Sequence, residues 1–287
     1  MTAQNDQLCA IVVSFNTGNV LFDCLQALSN DPLCSQIIIV DNGNPAPVVE
    51  ELTRRASLDP KLDLFHGYGN IGFGRGCNLG ASKAIGGKLV FVNPDCVIDP
   101  QTFPAFSRAL SGADDVLLGG LLRNVDGSEQ RGSRRGALTV WSALVSFSGL
   151  GRAGPSAGIW RDFNRTNEAP LTENTSMPVI SGALLAIGAP FFQKLGGFDP
   201  DFFLHLEDVD LCKRAAACGG QVIFVPSATA LHLGGTSAAP RWHVERAKIA
   251  SFARYFWKHA ESNGARLWVA IVMPFIAAAI ILRMSVR

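Results

Sequence analysis

Three short polar clusters carry most of the chemistry this sequence can offer. Asn93-Pro94-Asp95 follows the apolar run 89–92. One carboxylate at the end of a buried strand is enough to hold a hard divalent cation, which keeps several waters and takes phosphate oxygens as further ligands. Asp99 stands before Pro100 and a helical pattern over 102–110, so it reads as the helix-start residue and leaves Asp95 for chemistry. His205-Leu-Glu-Asp-Val-Asp210 is the densest acidic cluster. Glu207 and Asp208 open a helical pattern over 207–218, where the macrodipole favours carboxylates. A third acid exceeds what one helix end needs, and Phe198, Phe202 and Phe203 predict a partly apolar pocket wall. Asp208 with Glu207 is therefore the candidate general base for a hydroxyl proton. His232 precedes Leu-Gly-Gly-Thr-Ser, a glycine turn that could hydrogen-bond phosphate.

Elements that alternate along the chain must position these groups. Apolar runs at 8–15, 37–40, 62–65, 89–92 and 116–118 read as strands covered on both faces. Helical patterns at 20–28, 48–58, 77–85 and 102–110 separate them. This βαβ rhythm predicts an α/β fold with a mostly parallel sheet, whose ligands lie beyond the carboxyl ends of the strands. Ser14-Phe15-Asn16, Asp41-Asn42-Gly43 and Asn93-Pro94-Asp95 share that edge. Residues 123–177 lose the pattern and read as irregular, with Arg131, Arg134 and Arg135 clustered there. A strand at 179–187, a short helix near Phe191, short strands at 221–225 and 230–233, and a helix at 242–259 complete the domain.

Gly67-Tyr-Gly-Asn-Ile-Gly72 matches the dinucleotide pattern G-x-G-x-x-G, but the fingerprint belongs in the first βα turn, here Asn16-Thr-Gly-Asn19. The further glycines Gly74, Gly76 and Gly80 predict close backbone approach over a longer path.

Composition narrows the classes. Hydrophobic residues are 48% and charged residues 17% of 287, which excludes a disordered chain. With 25 basic and 24 acidic side chains, no basic excess exists to coat nucleic acid, so any anion must be held by a local site. Seven cysteines without C-x-x-C spacing read as small buried hydrophobes in a reducing compartment. Residues 1–7 are polar and show no secretory leader. Residues 267–282 are uncharged and carry Pro274 near their middle. At about 1.5 Å per residue they cover about 24 Å, short of a hydrocarbon core of about 30 Å. Interfacial anchor, short span and buried helix all fit such a segment.

Taken in order, Ile11-Val-Val-Ser-Phe-Asn16, Ile39-Val-Asp-Asn42, residues 69–80, Phe91-Val-Asn-Pro-Asp95, Ser181-Gly182, Gly197-Phe-Asp199, residues 202–211 and His232-Leu-Gly-Gly-Thr-Ser237 resemble the family 2 glycosyltransferases of GT-A fold, closest to their rhamnosyltransferase-like branch. The resemblance implies a domain over 1–260, with a nucleotide-binding part at 8–120 and an acceptor part at 121–260, followed by an apolar membrane-associating segment at 261–287. It implies that Asp41 hydrogen-bonds the pyrimidine of a nucleotide-sugar donor. Ser14, Asn16, Asn42, Asn70, Gly72 and Asn93 would line the donor pocket, and Arg75 would reach its phosphates. Asp95 resembles the last acid of a D-x-D motif holding Mg²⁺ or Mn²⁺, with Asn93 in place of the first acid. His232 resembles a histidine that meets the metal or the diphosphate, and Asp208 the inverting base.

The implied reaction moves a sugar, with dTDP-rhamnose the favoured donor and a UDP-sugar the other, to a saccharide or lipid-linked saccharide at the cytoplasmic face of a membrane. The arginines of 123–177 would contact a lipid diphosphate, or form a solvated loop. A homodimer is a further partner to test. The alternatives are a nicotinamide-dependent oxidoreductase and a catalytically silent sugar-nucleotide-binding module.

Overall fold

Strand β1 (Leu8–Ser14) sits in the middle of the structure because both of its faces are apolar: Cys9, Ile11 and Val13 enter one core, and Leu8, Ala10 and Val12 the other. The structure, a computed structural model, describes residues 7–148, 158 and 161–285. The polar segment at 1–6 and residues 149–157, inside the stretch read as irregular, lie outside the described residues, as do residues 159–160 and 286–287.

Around β1 pack β2 (Cys34–Asp41), β3 (Leu62–Phe65) and β4 (Lys88–Val92), all parallel, in the order β3-β2-β1-β4. The sheet then continues through β10 (Leu184–Gly188), β6 (Val116–Arg123) and β11 (Gln221–His232). Strand β10 runs antiparallel between β4 and β6, and β11 is parallel to β6. The outer edge of β11 is shared by β5 (Cys96–Ile98) and β8 (Thr175–Ser176). A separate two-stranded ribbon pairs β7 (Arg134–Arg135) with β9 (Val179–Ile180).

Helices cover both faces, as continuous apolar strands require. On the face of Leu8 and Val12 lie α1 (Val20–Asn30), α2 (Ala46–Leu58) and α4 (Thr102–Leu110). On the other lie α3 (Phe73–Ala81), α5 (Val140–Ser148), α6 (Ala189–Lys194), α7 (Glu207–Ala217), α8 (Arg241–Lys258) and α9 (Asn263–Ser285). Six cysteines are buried and unpaired, as small hydrophobes, while Cys218 is exposed.

Several expectations shift. The helix expected at 77–85 begins at Phe73, so the glycine-rich stretch is its first turns. Gly76 lies against Val13 and Gly80 against Ile11, where a Cβ would come within 2.7 and 2.5 Å of their methyl groups. The close approach is thus between α3 and β1. The strand expected at 179–187 is broken at Ser181-Gly182 into β9 and β10. The two expected at 221–233 are one strand with an irregularity between Val225 and Thr229, where Pro226 lacks an N–H for the ladder. The irregular stretch holds α5 and β7. Asp99 does not cap α4 with its side chain: its carboxylate accepts from the Thr229 hydroxyl and ties the helix start to β11. Phe198 and Phe202 are core residues, and only Phe203 is exposed.

Candidate active site

The register of β1 on β2 sets Ser14 beside Asp41 at the carboxyl ends of both strands. Asn44, which the sequence reading passed over, joins them. Its Nδ2 donates to the Asp41 carboxylate at 2.7 Å and to the Ser14 carbonyl and hydroxyl at 3.1 Å, and its Oδ1 accepts the Asn16 N–H at 2.8 Å. Asp41 Oδ1 also accepts the backbone N–H groups of Gly43 and Asn44. Among the described residues its Oδ2 has no hydrogen-bond partner, which leaves it acceptor capacity to spare. Asn42 and Asn70 fasten the glycine loop: Asn42 donates to Asn70 at 3.0 Å and accepts the Ile71 N–H at 2.9 Å, and Asn70 accepts the Gly72 N–H.

Gly72 and Arg75 are placed differently from the expectation. Gly72 has φ +87°, and a Cβ there would lie 2.7 Å from the Phe203 carbonyl oxygen. Arg75 Nε donates to the Pro200 carbonyl at 2.7 Å. One turn further on, Asn78 clasps the backbone of Phe198 with both ends of its amide, at 2.8 and 2.9 Å. These residues therefore brace loop 197–206. Helix α8 braces it from the other side, through Ser251 to the Leu204 carbonyl and Lys258 to Asp199.

That loop enters α7 through His205 and Leu206, with φ +69° and +65°. With Asn16 at φ +47°, they are the positive-φ residues other than glycine among the described residues. All three belong to this site, where strain persists only because the surroundings enforce it.

Behind the loop, Asp95 is 6% exposed. Its carboxylate faces His232 Nε2 at 3.1 Å and accepts the Thr236 hydroxyl at 3.0 Å. Burial alone would raise its pKa; the His232 and Thr236 bonds outweigh that and hold it below the usual range. Gln130, a second residue the sequence reading missed, bonds His232 Nδ1 through Oε1 and the His232 carbonyl through Nε2. An acceptor on Nδ1 assigns a proton to that nitrogen and fixes the ring with Nε2 towards the Asp95 carboxylate, to which Nε2 donates when it too is protonated. Without that second proton the two groups are acceptors facing one another in a buried pocket, an arrangement that suits a divalent cation. Asn93 Nδ2 lies 3.5 Å from the same Nε2. Cys96 is also within reach, but its thiol donates to the Ala183 carbonyl, and burial first, with Asp95 adding, pushes it well above its usual range. In this arrangement it is a thiol engaged with the backbone.

Asp208 Oδ2 accepts from the Arg135 guanidinium and, at 2.9 Å, from the Gly182 N–H; Oδ1 accepts the Val209 N–H. A Cβ on Gly182 would lie 3.0 Å from that of Asp208, so only glycine brings the peptide this close. The next residue in the turn, Ala183, accepts the Asn93 N–H at 2.8 Å. The turn at Ser181–Ala183 is thus fastened to the Asp95 loop on one side and to Asp208 on the other.

Glu207 is buried, with Oε2 unpartnered. Desolvation, reinforced by the charge of Asp208, pushes its carboxyl up to about 8. His205 is driven down to about 4, chiefly by desolvation. Its ring Nε2 is buried even though the residue as a whole is half-buried. Asp210 is fully buried and held far below the carboxylate range: burial opposes ionisation, but His259, Lys258 and Arg214 outweigh it. It joins α7 to α8.

Of the arginines at 131–135, Arg131 is exposed, Arg134 buried and Arg135 half-buried. Arg134 is 2% exposed and paired with Glu129, Arg131 pairs with Asp162, and Arg135 is spent on Asp208 and the Ile180 carbonyl.

Comparisons with known proteins give the chain its relatives. The chain is 28% identical over 79% of its length to an N-acetylglucosaminyl-diphospho-decaprenol L-rhamnosyltransferase of Mycobacterium tuberculosis, covering 76% of that protein. It is 24% identical over 82% of its length to rhamnosyltransferase WbbL of Escherichia coli, covering 89% of it. Among solved structures, the mannosyltransferase PcManGT of Pyrobaculum calidifontis, in complex with GDP-Man and Mn²⁺, superposes with a TM-score of 0.61 at 13% identity, over 98% of this chain and 74% of that one. That likeness is of the GT-A fold. The glycosyl transferase family 2 profile matches residues 9–185, more than half of the chain, and with a site built on this plan the chain belongs to that family of glycosyltransferases.

Proposed function

We propose that the chain is an inverting, cation-dependent transferase that moves a sugar from a nucleotide-sugar donor to a hydroxyl of a lipid-linked saccharide. The observation that carries this is the single turn Ser181–Ala183, fastened both to the Asp95–His232 loop and to Asp208. Inversion by one displacement needs the leaving diphosphate and the attacking hydroxyl on opposite sides of the anomeric carbon. A rigid turn between the two groups sets that spacing.

Asp41 and the Asn44 network would hold the nucleobase and ribose end of the donor. Asp95 and His232 would hold Mg²⁺ or Mn²⁺, which supplies charge neutralisation at the departing diphosphate. Asp208 Oδ1, which carries only its neighbour's N–H, is the oxygen left to take the acceptor proton. Arg135 and Gly182 hold Oδ2 so that Oδ1 keeps its direction. Glu207 supports Asp208 from the core side as a largely neutral acid.

The two rhamnosyltransferase relatives support dTDP-rhamnose as donor. The diphospho-decaprenol acceptor of one of them supports a lipid-linked acceptor and work at the cytoplasmic face of a membrane, as a peripheral protein. The glycine run 67–72 follows β3 at the sheet edge and is tied by Asn42 and Asn70, which removes the basis for a nicotinamide site. Thermal stability with dTDP, UDP, GDP and NADH, each with and without Mn²⁺, tests the reading. At about 100 times its dissociation constant a ligand adds about 2.7 kcal/mol to the native state. A Mn²⁺-dependent rise with dTDP is expected; a rise with NADH alone would overturn it.

A further inference from the structure

Helix α9 is long and apolar enough to cross a membrane, with a mean hydropathy of 2.3 over residues 263–282. Its packing opposes crossing. Val269, Val272, Ile276 and Ile280 form a stripe at helical spacing, are at most 5% exposed, and join the core beside α5 and α8. A helix that crossed the bilayer would have to pull this stripe off the domain. The opposite arc is Leu267, Trp268, Ile271, Phe275 and Leu282, each more than half exposed. No charge interrupts residues 267–282. Soluble surfaces rarely leave an apolar face about 22 Å long uncovered.

The rim says what covers it. Trp141 on α5 and Trp257 at the end of α8 are half-exposed beside α9, and the Arg266 guanidinium lies 5.7 Å over the Trp257 ring. Half-wet tryptophans beside arginine suit a headgroup boundary, where an apolar body and a polar edge are both satisfied. Residues 241–287 hold eight basic and two acidic side chains; Lys248, Arg254 and Lys258 are paired with Glu245, Asp199, Asp201 and Asp210, which among the described side chains leaves Arg241, Arg246 and Arg266 against Glu261. Anionic headgroups match that rim. A second copy related by a twofold axis would set one positive rim against another.

We propose that α9 is a monotopic helix, lying flat in one leaflet with its Leu267–Phe275–Leu282 face among the acyl chains. This deepens the membrane reading above and rests on it for its setting, though not on the transfer chemistry. Helix α8 lies between α9 and loop 197–206.

The test uses the full chain carrying a C-terminal epitope, floated with vesicles of phosphatidylcholine with and without phosphatidylglycerol. Wild type is expected to float, more strongly with the anionic lipid, and protease added outside is expected to remove the epitope. Ile271→Asp with Phe275→Asp, both on the exposed face, is expected to weaken flotation at least about tenfold. Its Mn²⁺-dependent stabilisation by dTDP should stay as in wild type, which shows that the domain is folded. An epitope protected inside the vesicles would overturn the proposal in favour of a span. Unchanged flotation of the double variant, or a wild-type dimer that the variant splits without any flotation, would overturn it too. Loss of nucleotide binding in wild type would instead refute the transferase reading and leave the flotation result standing.

Discussion

Arg135 and Asp208, 73 residues apart in the chain, form one nearly buried ion pair in which the guanidinium also holds the Ile180 carbonyl at 2.6 Å. The partner of the candidate base comes from the segment that carries least pattern. Removing one member of such a pair leaves an uncompensated charge, at a cost of about 3–5 kcal/mol. Arg135→Gln is expected to lower stability on that scale, and Arg135→Lys less, since it keeps the charge but not the fork. In denaturant titrations the double variant Arg135→Gln/Asp208→Asn should be less destabilised than the sum of the singles, by about 0.5–3 kcal/mol. Strict additivity would show that the pair is incidental.

Asp208→Asn retains the shape of the side chain and its bond to the Gly182 N–H through the amide oxygen. Transfer is expected to fall by about 10²–10⁴-fold, the usual weight of a general base. Nucleoside diphosphate affinity should stay within about twofold of wild type, because the donor groups gather around Asp41 and Asp95. Near-normal turnover in single-turnover assays would remove Asp208 from the role.

The side chain of Gln130 bonds to His232, beside the proposed cation pocket, and acts on that residue. Gln130→Ala frees the Nδ1 proton to move to Nε2, where it would point at Asp95. Mn²⁺ affinity in the presence of dTDP, followed by electron paramagnetic resonance, is expected to drop about 10–100-fold. His232→Ala should drop it at least as far. Unaltered binding in both would show that the cation is held elsewhere.

Glu207 supplies a pH signature. Its folded pKa is raised, to about 8 from an ordinary 4.5, so between those values the folded protein retains a proton that the unfolded chain releases. Stability contributed by this group is complete below about pH 4.5 and is lost as pH rises towards 8. Glu207→Gln, with Oε2 unpartnered, sacrifices no hydrogen bond there. It is expected to raise stability at pH 7.5 by up to about 3 kcal/mol and to leave it unchanged near pH 4.5. Melting curves across that range check the sign; a variant less stable at pH 7.5 would show that the carboxylate is satisfied.

Much of the site was legible in one dimension because strand-end chemistry is local. Apolar runs that stop at Ser14, Asp41 and Asp95 announce where a parallel sheet presents its ligands, and the acidic opening of α7 announces a helix N-terminus. The contacts of Gly72 and Arg75 were not legible because a glycine-rich loop looks the same whether it approaches a phosphate or another peptide. Only the packing of α3 on loop 197–206 tells which. Asn44 and Gln130 were missed for the converse reason: each sits in a turn-like stretch, where asparagine and glutamine are unremarkable, and each earns its place through partners far along the chain.

The sequence by itself determined the α/β alternation, the family and the identity of the acids, because these depend on residue type and short spacing. The tertiary structure decided what each acid can do. Burial leaves Glu207 largely neutral, Arg135 engages one oxygen of Asp208, and His232 faces Asp95 across a gap suited to a cation. It also set which face of the apolar tail is buried. Composition allowed a span, an anchor or a core helix, and the stripe of four buried residues is what the proposal of a helix lying in one leaflet rests on. Charge, desolvation and exposure depend on which surfaces meet in space, and the chain order of the residues does not carry that information.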